Sequence, residues 1–181
     1  MALLGAALVF SQSASAAAPF REFPIGEPVV RSHMQIAAVY LPPIKMDHDM
    51  SAHQGIEHLL KTAKGHVIHL EADIHAETAN PNGFGRGDWI PYLTVNYRLT
   101  HTKSKKEIKG TFMPMVAKDG AHYGATVTLP EKGHYKLRYE ITPPSKNGFG
   151  RHTDPVTGVA PWWEPFTVNF EFDFKGFDAQ S

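Results

Sequence analysis

Apolar and polar positions alternate with a period of two along much of the chain. In 66–76, Ile68, Leu70, Ala72 and Ile74 fall on one side, and His69, Glu71, Asp73 and His75 on the other. In 92–99, Leu93, Val95, Tyr97 and Leu99 alternate with Thr94, Asn96 and Arg98. In 134–142, Tyr135, Leu137, Tyr139 and Ile141 alternate with His134, Lys136, Arg138 and Glu140. In 166–175, Phe166, Val168, Phe170, Phe172 and Phe174 alternate with Thr167, Asn169, Glu171 and Asp173. Half-buried strands produce this pattern, because successive side chains point to opposite faces. Met34–Tyr40, Thr111–Val116 and His122–Leu129 carry it more weakly. Gly and Pro punctuate these runs, which predicts an all-β, antiparallel β-sandwich. Ser51–Ala63 is the one helical candidate: Ser51 and Gln54 match a capping box, and Ile56, Leu59 and Leu60 form a stripe that Gly55 weakens. At most one short helix is expected.

The N-terminus breaks the pattern. Residues 2–10 are apolar, and Ala14-Ser15-Ala16 forms a small-residue cleavage site. Together they read as a secretory signal peptide over 1–16, too short to span a bilayer. No Lys or Arg precedes Arg21, so the usual positive leader is missing. Residues 17–181 are expected to form one exported domain, without a lipid-anchoring Cys. Asn82-Gly-Phe-Gly-Arg86 recurs as Asn147-Gly-Phe-Gly-Arg151, which reads as two similar Asn-Gly turns.

Composition then narrows the chemistry. The 181 residues carry 18 Lys+Arg and 18 Asp+Glu, a balance that argues against nucleic-acid binding. There are 11 His, 6 Met and no Cys. Absent thiol excludes disulfides, zinc fingers, Cys nucleophiles and a blue-copper thiolate. No Gly-x-Ser-x-Gly or His-Glu-x-x-His motif occurs, so a turnover enzyme is not expected.

Imidazole and thioether remain. His69 and His75 lie roughly 20 Å apart along a strand at about 3.3 Å per residue, too far to share an ion. His69 and Glu71, two residues apart, can share one. The bland alternative for this face is a solvated polar surface. Met113 and Met115 share a strand face, with Pro114 marking an edge or bulge. A thioether suits copper, although Met is more often a core gap-filler. His122 and His152 lie near Gly-rich turns that can converge at one end of a sandwich. Met46, His48, Met50 and His53 form a separate loop that reads evenly as a copper-collecting segment or a polar surface loop.

These residues carry a family resemblance. Ile36–Met46, His69–Ala76, Asn80–Phe84, Trp89–Leu93, Met113–Ala117, Asp119–Ala125 and Gly148–His152 resemble, in order, the periplasmic iron-uptake proteins of the Tpd/FetP type. The resemblance covers the chain from about Phe23 onward. It implies an immunoglobulin-like β-sandwich, cupredoxin-like in general shape, and a homodimer with its metal site near the dimer interface. It implies copper binding in high-affinity iron uptake beside an inner-membrane iron permease. Position by position, the implied copper ligands are His69, Met115, His122 and His152. Glu71 and Asp119 lie beside them, and Glu71 is the better candidate for a second cation, iron or manganese as its surrogate. The 46–53 loop departs from the family and keeps a copper-storage or copper-delivery protein open as the alternative. Ligand softness agrees with copper on the imidazole–thioether set and iron on the carboxylate.

Overall fold

The computed structural model of the chain describes residues 21–46 and 66–177. The helical candidate Ser51–Ala63 and the signal peptide over 1–16 lie outside them. Among the described residues there are ten strands, one 3-10 turn and no α-helix. The strands are β1 (Phe23–Pro24), β2 (Val29–Arg31), β3 (Met34–Leu41), β4 (Val67–Ala76) and β5 (Thr94–His101), followed by β6 (Glu107–Thr111), β7 (Met113–Ala117), β8 (Gly120–Thr128), β9 (Gly133–Thr142) and β10 (Phe166–Phe174).

They form two antiparallel sheets. The first runs β1-β3-β4-β8-β7, with β2 also paired to β3. The second runs β10-β9-β5-β6. Their inner faces supply the core: Ile36, Tyr40, Ile68, Leu70 and Ile74 from one, and Val95, Leu99, Tyr139, Phe170 and Phe174 from the other. This is the sandwich that the alternation predicts.

The expected strand Thr111–Val116 is divided between the sheets. Thr111 ends β6 in the second sheet, and Met113 begins β7 in the first. Phe112 makes the crossing, 5% exposed, with its amide donating to the Val95 carbonyl at 2.9 Å. Pro114 is tolerated because β7 is an edge strand, with no ladder partner on one side among the described residues.

Both Asn-Gly turns place their glycine in the left-handed region, Gly83 at φ 89° and Gly148 at φ 81°. The two turns meet: Phe84 and Phe149 stack with ring centroids 6.5 Å apart. No helix among the described residues is long and apolar enough to cross a membrane.

Candidate metal centre

β4 lies in the middle of the first sheet, between β3 and β8. Its inner face is core, as predicted. Its outer face is not the solvated surface that polar residues would suggest: His69 is 1% exposed and Glu71 6%. Register explains what surrounds them. Directly paired residues of antiparallel strands share a face. Glu71 pairs with Val39 and Gly124, Met115 with His122, and Met113 with Gly124. One outer face therefore collects His69 and Glu71 from β4, His122 from β8, and Met113 and Met115 from β7. His122, expected near a turn, lies within β8 and is 4% exposed.

The polar atoms converge. Glu71 Oε1 lies 3.3 Å from His69 Nε2 and 3.2 Å from His122 Nε2. The two imidazoles are nearly perpendicular, at 80°. His69, Glu71 and His122 form a group whose ligand atoms all lie within 4.8 Å of one another. Neither close approach has hydrogen-bond geometry, and His69 Nδ1, His69 Nε2 and His122 Nε2 are buried with no hydrogen-bond partner among the described residues. Buried polar atoms are almost always satisfied. Unsatisfied nitrogens aimed at one carboxylate oxygen are what a cation site provides. Met115 Sδ joins them: a Cβ placed on Gly124 would lie 2.8 Å from His69 Nε2 and 3.1 Å from Met115 Sδ. Two imidazoles and a thioether form a soft set that suits copper, and the carboxylate adds a hard oxygen.

Asp119, between β7 and β8, lies apart from that group. It lines a cavity of about 380 Å³ with Glu22, Leu41, Ile44, Glu71, Ala117 and Lys118. Glu22 gave no sequence signal. Burial, then the charges of Glu71 and Asp119, raise its carboxyl above the usual range. Asp73 is pushed up to about 6, first by burial and then by Glu71, with His122 and His75 acting in the opposite sense.

His152 is outside the cluster within a single chain. It sits in the exposed 148–159 loop, with Nδ1 2.7 Å from Thr157 Oγ1. The Thr157 hydroxyl donates to Asp154 Oδ2 at 2.5 Å. That uses its only proton, so it accepts from His152 and fixes the imidazole hydrogen on Nδ1. The lone pair is left on Nε2. Met46 is 40% exposed, and His48, Met50 and His53 lie outside the described residues.

The family model described as Fe2+ transport protein matches residues 19–176. The chain belongs to the Fe2+ transport protein family. Fe2+ transport proteins are a transport family rather than an enzyme family. A UPF0423 protein of Brucella abortus is 50% identical over 159 residues, covering 86% of this chain and 83% of its own. The 34 kDa membrane antigen of Treponema pallidum is 39% identical over 175 residues, covering 94% and 82%. Among solved structures, a copper-bound Glu-to-Gln variant of FetP from uropathogenic Escherichia coli matches with a TM-score of 0.79 at 48% identity, covering 87% of this chain and 100% of that one. Copper-reconstituted P19 protein from Campylobacter jejuni matches at 0.77 and 45% identity, covering 86% and 98%. The FetP-type resemblance and the β-sandwich are thereby established.

Proposed function

We propose that this chain is an exported, periplasmic copper-binding component of an iron-transport system, working as a homodimer beside an inner-membrane iron permease. His69, Met115 and His122 hold copper, and His152 of a second copy completes the set. Glu71, with Asp119 and Glu22, takes a harder divalent cation, iron as the cargo or manganese as its surrogate. The observation that carries this reading is the convergence of two unsatisfied imidazole nitrogens, His69 Nε2 and His122 Nε2, on Glu71 Oε1, with the Met115 thioether against His69. Copper held there supplies one-electron redox chemistry next to the iron carboxylate. The protein's own residues orient the soft donors, exclude water from them, and set one Glu71 oxygen against both imidazoles, with Asp119 and Glu22 in the adjoining cavity. Copper-bound FetP and P19 relatives support the choice of metal.

Metal analysis of purified wild-type protein and of His69→Ala, Met115→Ala and Glu71→Ala tests it. Copper disappears in the first two, and iron or manganese alone in the third. Equal loss of every metal in all three variants would reduce the two sites to one.

A further inference from the structure

Gly124 stands at the middle of β8, opposite Glu71 on one side and Met113 on the other. A glycine inside a strand weakens it and needs a reason. Backbone conformation is not the reason, because Gly124 is not among the positive-φ residues, so any residue could adopt its backbone. Space is the reason. A Cβ there would lie 2.8 Å from His69 Nε2, 3.2 Å from His69 Cε1 and 3.1 Å from Met115 Sδ. The nearest neighbours of the empty Cβ position are thus two of the proposed donor atoms. His69 is 1% exposed and its ring has little room to retreat. Met115, on the edge strand, can swing away.

We infer that Gly124 is a specificity-determining residue of the metal centre: its missing side chain is the gap into which the His69 imidazole and the Met115 thioether lean together. Filling the gap with one methyl group leaves every donor in the sequence but separates them. The 2.8 Å conflict with His69 Nε2 displaces the imidazole and the 3.1 Å conflict displaces the thioether, so copper(I), which depends on both, loses most, and copper(II), which depends less on the thioether, loses less. This rests on reading the site as a copper centre.

The test compares wild type, Gly124→Ala, Met115→Ala and the double variant. Copper(I) and copper(II) affinities are measured by competitive titration, and melting is recorded with and without copper. Copper(I) binding by Gly124→Ala is expected to weaken about 10–100-fold, the range found when groups supporting metal ligands are altered. The rise in melting temperature that copper gives wild type shrinks with it. In the Met115→Ala background the alanine has a smaller effect, because the conflict with the thioether is gone and only the contacts with His69 remain. If Gly124→Ala fails to fold and the double variant folds, the conflict with Met115 is demonstrated directly. Wild-type copper(I) affinity in Gly124→Ala would overturn the inference. So would a lower metal-free melting temperature with the copper-induced rise intact, or failure of both glycine variants to fold, since each marks a purely structural glycine. Absence of copper binding in the wild-type arm would instead sink the copper reading itself.

Discussion

At the scale of single residues, the Asp154–Thr157–His152 chain is a device for presenting one lone pair. Asp154 accepts from the amides of Val156 and Thr157, both at 2.9 Å, as well as from the Thr157 hydroxyl. Those bonds, the hydroxyl foremost, hold its carboxyl down at about 2. A folded value below the ordinary aspartate value of about 3.9 means that the loop's stabilisation is present above that pH. It is lost as pH falls toward about 2. Carboxyl titration followed by NMR should find Asp154 near that value, with the Val156 and Thr157 amides losing protection together. An Asp154 that titrates at the ordinary value would show that the loop is not capped in solution. Thr157→Val tests the other end of the chain. Without the hydroxyl, nothing fixes the proton on Nδ1, so nitrogen NMR should report mixed His152 tautomers and copper should bind about 10–100-fold more weakly. A single Nδ1-protonated tautomer in that variant would refute the relay.

At the scale of elements, β8 couples the metal face to the core. His122 points outward, and the next residue, Tyr123, points inward and is fully buried. Its hydroxyl donates to the Ile90 carbonyl at 2.8 Å and accepts from the Leu93 amide at 2.9 Å, and its ring packs on Trp89 at 5.1 Å. The phenol thus pins the segment between β4 and β5. Tyr123→Phe keeps the ring and leaves a buried donor and a buried acceptor unpaired, which costs about 1–3 kcal/mol. Urea unfolding measures it, and a loss under about 0.5 kcal/mol, the range of ordinary surface changes, would mean that the segment is held by packing alone. The long strands were legible in the sequence because each buries one full face: β4, β5, β9 and β10 carry three to five alternating apolar residues each. β6 was not, since Ile108 is its only large apolar side chain. β1 and β2 have two and three residues, too few for a period to show. The pairing of His69 with Glu71 follows from strand geometry alone. Its burial does not, because a polar strand face becomes interior only when neighbouring strands and loops cover it. Glu22 and Gly124 had no signal for different reasons: one joins the site only through the fold, and the other contributes by having no side chain.

At the scale of the whole molecule, the unequal placement of the four proposed copper ligands makes a prediction about assembly. His69, Met115 and His122 share one sheet face, while His152 sits on an exposed loop outside their cluster. If His152 is supplied by a second copy, each site of a homodimer draws three ligands from one chain and one from the other. A His69→Ala chain keeps an intact His152, and a His152→Ala chain keeps an intact trio. Each variant dimer alone then has two damaged sites. A mixed dimer has one wholly intact site, with the trio from one chain and His152 from its partner, and one site lacking both His69 and His152. Unfolding and refolding the two variants together in equal amounts should yield a mixed species, separable by distinct affinity tags. It should bind one copper per dimer with wild-type affinity, while neither parent does. Completion within a single chain predicts the opposite: every chain in the mixture carries a lesion, so mixing restores nothing. The measurement also separates the two roles that dimerisation can have. A mixed dimer that forms but binds no copper places His152 in its own chain's site, and leaves the interface with no part in coordination.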